Sequence, residues 1–329
     1  MHILHTFKIV LTLLFISLSF ASCNTTTDPD DNGAGSMTGT LVYDLPSADS
    51  QVGTFSFSSK EEVIVFDEGK CPSWTPSGEV LYEEPSGHQP SWSIVQIAQN
   101  GTNKRVLLDS KMFSLNVAKS PKMSKDGSTI CFNYWNGGGA SELYSGHGTI
   151  LMNSNGTLIG GLDSLFDGSW MPDGSLVLSA TVEELWTTTS TFYADGLYLL
   201  SADYTSITPI GSGLVKPKHP AASPDGKRIA FSMNKHIWVI NADGTGLRQV
   251  TTGSKEEARP CWSPDGKYIA CICFGTFEAS YYNALAAVPA DEAAAINLTN
   301  DSKYWVIDPS QSTNSSLGRL NPYSSISWK

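Results

Sequence analysis

One turn motif recurs along the chain and constrains its fold more than any other feature. Pro-Asp-Gly occurs at 224–226 and at 264–266, each time between an apolar approach and a run of β-forming residues. Because proline presets φ and glycine supplies a positive φ, this tripeptide predicts a tight turn between two strands. Asn241–Gly244 predicts a second turn, which joins the strand Ile237–Ile240 to the strand Leu247–Thr251. One unit is therefore four short strands joined by hairpins, the pattern of a β-propeller blade.

The turn glycine can be followed through the whole chain. It occurs five times, and the successive spacings of 49, 47, 52 and 40 residues fit blades with loops of variable length. A solenoid would keep a more constant pitch. An apolar residue stands four positions before each glycine and predicts a repeated core position. The glycines are Gly78, Gly127, Gly174, Gly226 and Gly266, and the blades are expected at 71–118, 119–165, 166–217, 218–257 and 258–320.

The two ends of the chain carry parts of a sixth motif. Residues 322–328 resemble the strand before each turn and stop where the turn should follow. Gly39–Tyr43 resembles Gly78–Tyr82, the strand that follows a turn. We therefore expect the C-terminal strand to be the innermost strand of a blade whose other strands come from the N-terminal side. Such a blade closes the ring and removes exposed sheet edges.

The segments SPDGKRIAF, IWVINADGTGLRQVT and RPCWSPDGKYIA are similar to the WD40-like propeller repeats of the TolB type. The likeness is most specific in blades four and five and covers nearly all of 39–329. It implies an all-β, six-bladed propeller with four-stranded antiparallel blades. It does not imply one activity, because such proteins include scaffolds, binding proteins and the propellers of peptidases. TolB itself has an α/β domain before its propeller, for which residues 23–38 leave no room, so a Tol–Pal role is not implied.

The first 22 residues have the pattern of a bacterial lipoprotein signal peptide. Lys8 and the amino terminus give a positive start, and Ile9–Phe20 is an apolar segment too short for a comfortable membrane span. The sequence Phe-Ala-Ser-Cys at 20–23 resembles a lipobox, which implies cleavage before Cys23 and a lipid on its thiol. An ordinary secretory signal with an incidental cysteine is the alternative.

Residues 23–38 are then a polar tether between the anchor and the propeller. Its acidic residues resemble the export signals of Bacteroidetes surface lipoproteins, although they also suit a flexible linker. The expected location is the cell envelope, on the outer membrane, facing either the periplasm or the cell surface. The acidic residues are Asp28, Asp30 and Asp31.

Composition excludes some partners and metal centres. The net charge of −11 argues against a cationic groove for nucleic acid. Five cysteines follow Cys23, an odd number, and Cys271 and Cys273 share a strand face without a histidine cluster nearby. We expect buried free thiols, with one disulfide possible, and neither a zinc site nor a cofactor. The five cysteines are Cys71, Cys131, Cys261, Cys271 and Cys273.

Long loops are predicted on one face of the propeller. The tight turns join first to second and third to fourth strands, so the connections between second and third strands lie on the opposite face. These connections are long in every motif except the fourth, and they collect aromatic residues. Aromatic platforms suit sugar rings or a peptide, although each ring can equally pack its loop onto the blade. The aromatic candidates for ligand binding are Trp92, Tyr134, Trp135, Trp186 and Tyr281.

Charged residues precede the inner strands and should border the central channel on that loop-rich face. Their mixed charge suits an anionic or hydroxylated ligand. The alternative is that they form salt bridges and cap the blade edges. The charged candidates are Lys70, Lys119, Asp167, His219, Arg259 and Arg319.

Three functions remain open from the sequence. We favour a non-catalytic, lipid-anchored module that captures a glycan or a protein partner through the loop-rich face. The first alternative is a carbohydrate-active enzyme, a lyase or hydrolase, working at the channel mouth around His219 and Arg259. The second is a structural scaffold of the envelope. Catalysis has less support because the histidines lack a metal-binding spacing and no Gly-x-Ser-x-Gly elbow is present.

Overall fold

Six four-stranded antiparallel sheets form the blades of a closed propeller, as the sequence predicts. The computed structural model describes residues 37–45, 51–59, 61–66, 69–85, 92–109, 117–135, 147–181, 193–274, 276–277, 280–281, 284–298, 305–307 and 325–329. Cys23, Trp186 and Arg319 lie outside these ranges, together with the predicted signal segment. In the described part of the chain, no helix is long and apolar enough to cross a membrane.

The blades follow one another in chain order, and blade six uses both ends of the described chain. Blade six has β1 (Thr40–Leu45), β2 (Gln51–Ser56), β3 (Glu61–Phe66) and the last strand, β28 (Ile326–Trp328). Blade one has β4 (Lys70–Trp74), β5 (Val80–Pro85), β6 (Trp92–Ile97) and β7 (Arg105–Asp109). Blade two has β8 (Val117–Met123), β9 (Thr129–Trp135), β10 (His147–Asn153) and β11 (Leu158–Asp163). Blade three has β12 (Phe166–Trp170), β13 (Leu176–Ala180), β14 (Gly196–Leu200) and β15 (Ile207–Ile210).

Two short strand pairs are added near blade five. Blade four has β16 (Lys218–Ala222), β17 (Arg228–Met233), β18 (His236–Asn241) and β19 (Arg248–Gln249). Blade five has β21 (Glu256–Trp262), β22 (Tyr268–Phe274), β25 (Ala284–Pro289) and β27 (Trp305–Ile307). The additional pairs are β20 (Thr251–Thr252) with β26 (Ile296–Asn297), which is parallel, and β23 (Thr276–Phe277) with β24 (Ser280–Tyr281).

One predicted strand is wrong in detail. The sequence predicts a single strand at Leu247–Thr251, but the structure divides it into β19 and β20. The break lies at Val250, whose N–H donates to Ile237 O at 2.8 Å and whose carbonyl accepts from Ile296 N at 2.8 Å. Val250 thus joins blade four to the β26 segment, and the buried side chain of Val250 packs in the core between blades four and five.

Ring closure follows the prediction. β28 pairs with β1, with Leu41 opposite Trp328 and Tyr43 opposite Ile326. The inner strands contact each other in the order β28, β4, β8, β12, β16 and β21, and β21 returns to β28. Blades two and five therefore stand opposite each other across the channel.

The apolar core consists of six clusters, one between each pair of neighbouring blades. One cluster joins Leu41 and Tyr43 of blade six to Ile272 and Leu285 of blade five. The other five repeat this arrangement around the ring. Because every blade shares its core with two neighbours, burial of apolar surface stabilises the ring as a whole.

The predicted apolar position before each turn has a second role. Where it is tryptophan, the indole N–H donates to a carbonyl of the preceding blade. Trp74 donates to Thr40 O at 3.0 Å, Trp170 to Lys122 O at 3.0 Å, and Trp262 to Ala221 O at 2.9 Å. Each of these side chains fills the core and also fixes the position of one blade against the next.

All five cysteines of the described chain are free and buried. Cys271 and Cys273 share one face of β22 and pack in the same cluster, as predicted. Burial raises the pKa of Cys131 and of Cys273 to about 12. These thiols are protonated at physiological pH and act as small apolar residues.

Gly226→Val should lower the free energy of unfolding by about 2–4 kcal/mol, because valine is strained at positive φ. Gly226 has φ of 71°, and a Cβ there would lie 3.0 Å from Pro172 Cδ. Gly127→Val is the matched control: its φ is 75°, but a Cβ there meets no heavy atom within 4 Å. We expect a smaller loss for it in urea denaturation. A Gly226→Val protein as stable as the wild type would contradict the turn assignment.

Candidate functional site

Five of the six inner strands contain the same backbone irregularity. Each has a β-bulge, and the residue in the bulge has a positive φ of 47–57° although it is not glycine. Proline follows this residue in four of the five blades and cannot donate a hydrogen bond to the neighbouring strand, which accounts for the interrupted pairing. The bulge residues are Cys71, Ser120, Asp167, His219 and Arg259.

The bulge residues lie in the inner strands, and the charge of one of them, Arg259, acts on groups of several blades. The charge of Arg259, on blade five, acts on Asp44 of blade six, Cys71 of blade one and Asp167 of blade three. Groups on such separated blades approach one another only near the channel axis. The positive charge of Arg259 therefore influences the pKa of groups on three other blades.

A polar residue in the second strand of one blade satisfies the bulge of the next. Asn133 Oδ1 accepts from Asp167 N at 2.9 Å, and Ser232 Oγ accepts from Arg259 N at 3.1 Å. Glu83 Oε1 makes the equivalent, longer contact with Ser120 N at 3.5 Å. These second-strand residues were not among the candidates predicted from sequence. A polar residue five or six positions after the turn glycine, inside an otherwise apolar strand, is the signal that could have found them.

Asp167, His219 and Arg259 are linked by close contacts, partly through Ser232. His219 Nε2 lies 3.8 Å from Asp167 Oδ2, and the two side chains are 22% and 18% exposed. Asn133 Nδ2 donates to Asp167 Oδ1 at 2.8 Å. His219 Nδ1 lies 3.5 Å from Ser232 Oγ, the atom that accepts from Arg259 N. A polar network therefore runs along the channel mouth from blade two to blade five.

This network holds a neutral imidazole beside a carboxylate. Burial and the positive charge of Arg259 lower the pKa of His219 to about 3. Burial opposes ionisation of Asp167, but His219, Arg259 and the hydrogen bond from Asn133 hold its pKa below the ordinary value. At physiological pH, Asp167 is therefore ionised and His219 is neutral.

The other side of the mouth holds two buried carboxyl groups. Asp44 Oδ1 accepts from Ser325 N at 2.6 Å, and burial raises the pKa of Asp44 to about 6. Burial, opposed by a hydrogen bond with the Cys71 thiol, raises the pKa of Glu83 to about 7. Glu83 Oε2 has no hydrogen-bond partner among the described residues. The negative charge of Asp44 contributes to the raised pKa of Glu83 because like charges repel.

The remaining candidates are divided between the rim of the channel mouth, on the loop-rich face, and the core between the blades. Lys70 Nζ lies 5.0 Å from the ring centroid of Trp92, so these two candidates meet in a cation–π contact. Lys119 is exposed on β8. Tyr134 is only 2% exposed, packs between blades one and two and donates to Asp163, so we remove it from the candidate ligand contacts. Trp135 ends β9 and Tyr281 ends β24, positions that fix only their backbone.

His236 forms a separate contact between blades four and five. Its Nδ1 lies 2.7 Å from Glu257 Oε2, which also accepts from Thr251 Oγ1 at 2.9 Å. The side chain of Glu257 is fully buried. This group binds neighbouring strands together, so His236 has a structural role here. Within the described ranges, no three His, Cys, Asp or Glu side chains are arranged to hold a metal ion.

Sequence comparison gives no relative for this chain. No family model matches it, and no curated protein matches at a significant level. Its placement among known proteins therefore depends on its three-dimensional structure.

Structural comparison shows that the chain is similar in fold to TolB and to other propellers. TolB from Acinetobacter baumannii superposes with a TM-score of 0.63 at 16% identity, over 89% of this chain and 67% of that one. A putative TolB from Agrobacterium tumefaciens gives 0.57 at 15%, over 83% and 98%. An oligogalacturonate lyase in complex with manganese gives 0.50 at 10%, over 76% and 71%. At such low identities the comparisons establish the fold, a six-bladed β-propeller similar to that of TolB.

Proposed function

We propose that this protein is a lipid-anchored, non-catalytic binding module of the cell envelope. Its loop-rich face captures a glycan or a protein partner, and the channel mouth is part of the contact surface. The observation that carries the proposal is the repeated bulge. Five non-glycine residues have a positive φ at equivalent bulges of the inner strands, and strain that is kept at several equivalent positions is typical of functional sites.

The location rests on two supports. The lipobox-like sequence at Cys23 and the polar residues after it suit an anchor with a short tether. The similarity to TolB structures fits a protein of the periplasm or the outer membrane. We propose Cys23 as the lipidated residue and a membrane-tethered propeller as the mature form.

The rim favours a partner with acidic or hydroxyl groups. Lys119 is exposed there, and Lys70 lies beside the face of Trp92, so charge and an aromatic surface occur together. Hydroxyl groups of sugars and carboxylates of an acidic protein loop both satisfy such a surface.

Lys119→Glu should weaken partner capture about tenfold. The glutamate carboxylate repels an acidic partner, and the substitution removes the hydrogen-bond donors of the lysine ammonium. Lys125→Glu is the matched control, since Lys125 is also exposed on blade two but lies in the tight turn on the opposite face. The measurement is a glycan array, together with pull-down from envelope extracts, using wild-type and both variant proteins. Equal loss in both variants would contradict a site on the loop-rich face. A folded protein that captures nothing would favour the scaffold function.

One observation favours the enzymatic alternative. Asp44 and Glu83 are two carboxyl groups near the channel mouth with raised pKa values, as in acid–base catalysis. However, Glu83 is 1% exposed, so substrate does not reach it in this conformation. His219, with a pKa of about 3, is a poor general base at neutral pH. Release of reducing or unsaturated ends from envelope polysaccharides by the wild type, and not by Glu83→Gln, would establish this alternative.

A further inference from the structure

A hydrogen-bond donor and an acceptor stand side by side at the bulges of blades three and four. His219 Nε2 and Asp167 Oδ2 are 3.8 Å apart, which is too far for a direct hydrogen bond. Both side chains are partly open to solvent. The two residues take equivalent positions on the neighbouring inner strands β16 and β12, with φ of 53° and 57°. The bulges therefore hold two polar atoms in an accessible arrangement that they do not satisfy themselves.

Asn133 fixes the carboxylate of Asp167. Its Oδ1 accepts from Asp167 N at 2.9 Å, and its Nδ2 donates to Asp167 Oδ1 at 2.8 Å. This reciprocal pair uses one carboxylate oxygen and leaves Oδ2, the oxygen nearest His219, without a hydrogen bond among the described residues. Nδ2 of Asn133 has a second N–H, for which the described part of the chain shows no acceptor.

Ser232 determines which nitrogen of His219 carries the proton. Its Oγ accepts from the backbone N–H of Arg259 at 3.1 Å and lies 3.5 Å from His219 Nδ1. The hydroxyl proton of Ser232 is then directed at Nδ1, which accepts it. Burial lowers the pKa of His219 to about 3, so the ring is neutral at physiological pH. In a neutral ring whose Nδ1 accepts, Nε2 is the donor, and it faces the open side of Asp167.

A hydroxyl group matches this pair better than a charged group does. Its oxygen can lie about 2.8 Å from both atoms, where it accepts from His219 Nε2 and donates to Asp167 Oδ2. The ionised carboxylate of Asp167 repels a carboxylate or a phosphate, and the N–H of His219 disfavours a cation. Asn133 adds a further donor next to the pair, so the set suits a ligand with several hydroxyl groups.

We propose that Asp167, His219 and Asn133 form a subsite that binds the hydroxyl groups of a neutral sugar. The inference rests on the proposed binding function and narrows its ligand to a glycan. A sugar ring presents adjacent hydroxyl groups in fixed directions, whereas a serine, threonine or tyrosine side chain presents one. Because solvent water competes for the same bonds, this subsite contributes to selectivity more than to affinity.

The experiment follows the imidazole nitrogens of His219 by NMR in the folded mature chain carrying 15N-labelled histidine. The probes are glucose, galactose, mannose and N-acetylglucosamine, and the matched ligand is tetrahydropyran, a similar ring without hydroxyl groups. We expect saturable shifts of the His219 resonances with at least one sugar, with a dissociation constant on the order of millimolar, and none with tetrahydropyran. His236, which contacts Glu257 at 2.7 Å, is the internal reference and should not shift.

Asp167→Asn tests the acceptor without removing bulk. The carboxamide oxygen stays with Asn133 Nδ2, so the NH2 group takes the place of Oδ2 and two donors then face the sugar. Sugar binding should weaken by about tenfold or more. Asp291→Asn is the matched control, because it removes a mostly exposed carboxylate that pairs with Arg228 beside a tight turn. It should leave sugar binding unchanged.

Ser232→Ala tests the positioning of the imidazole. It removes the donor to Nδ1, so the 15N shifts of His219 should show a larger fraction of the tautomer that carries its proton on Nδ1. Sugar binding should weaken about threefold, because Nε2 then donates in a smaller share of the molecules. An unchanged tautomer would contradict the role given to Ser232.

Three results would overturn the inference: no saturable His219 shift with any of the sugars, an equal response to tetrahydropyran, or unchanged sugar binding in Asp167→Asn. A captured protein that shifts His219 when no sugar does would overturn it as well, since the hydroxyl group would then belong to a protein. Partner capture that still depends on Lys119 would leave the proposed function standing in each of these cases. A His219 response to sugars in a protein that captures no partner would support the subsite and contradict the proposed function instead.

Discussion

Trp328→Ala should lower the free energy of unfolding by about 3–5 kcal/mol, the largest loss that we expect from a single substitution in this chain. Trp328 is 8% exposed and stacks on Phe57 with 4.5 Å between ring centroids. Its indole N–H donates to Thr38 O at 2.9 Å. The strand that carries it is three residues long, so loss of this side chain removes most of what holds β28 against β1.

The loss should be large because β28 closes the ring. Lys329 exchanges two backbone hydrogen bonds with Thr40, at 2.7 and 3.1 Å, and its ammonium lies 3.7 Å from the ring centroid of Trp74 in blade one. If β28 leaves, the inner edge of β1 is exposed and the interfaces of blade six with both neighbours weaken. Loss of closure therefore affects the whole domain rather than one blade.

Two variants test this interpretation. Trp328→Phe keeps an aromatic ring but removes the N–H, and should cost about 1–2 kcal/mol. Trp238→Ala removes an indole that also donates to a carbonyl, Met233 O at 2.9 Å, but within its own blade. It should cost less than Trp328→Ala in urea denaturation followed by circular dichroism. Equal losses for Trp238→Ala and Trp328→Ala would show that ring closure makes no additional contribution to the free energy of unfolding.

The fold was predictable because its signals are local and repeated. The turn glycines have φ of 70–88°, and the serine before the turn in blades four and five donates to the turn aspartate. Such turns depend on a few adjacent residues, so a sequence motif is enough to place them. Ring closure was predictable as well, because the N-terminal and C-terminal segments each carry half of a sixth motif, and only a closed ring pairs the two halves.

The candidate site was predictable only in part, because its geometry depends on contacts between blades. Asp167, His219 and Arg259 stood out as charged residues beside inner strands, and the structure links them by close contacts, partly through Ser232. Asn133 and Ser232 were missed because each lies in an apolar strand and acts on the next blade. Tyr134 packs in the core between blades one and two, which the sequence did not show because alternation along a strand does not reveal which face a residue takes at the strand's end.

Glu83→Gln should change the pH dependence of stability. Burial raises the pKa of Glu83 from its ordinary value of 4.5 to about 7, so the folded protein binds more protons there than the unfolded chain does between these pH values. Stability therefore falls as pH rises through this window, and the contribution of the protonated carboxyl is complete only below about pH 4.5. The loss of stability is complete above pH 7, because the folded protein then holds the buried Glu83 carboxylate, one of whose oxygens has no hydrogen-bond partner among the described residues.

Glutamine removes this cost because it is neutral at every pH and has nearly the same shape. Each pKa unit corresponds to about 1.4 kcal/mol, so the stability of Glu83→Gln relative to wild type should increase by about 2–3 kcal/mol between pH 4.5 and pH 8. Asp44, whose pKa burial raises to about 6, contributes to the same fall in wild type and remains in the variant.

The matched control is Glu256→Gln. Glu256 is 50% exposed and pairs with Lys235 at the surface, so its removal should leave the slope of stability against pH unchanged. The measurement is urea denaturation at half-unit pH steps for wild type and both variants. The stability difference between Glu83→Gln and the wild type should grow as the pH rises from about 4.5 to about 7 and stay constant above that. Parallel curves for these two proteins would mean that Glu83 titrates normally in the fold, and that the carboxyl group beside Cys71 is solvated rather than buried.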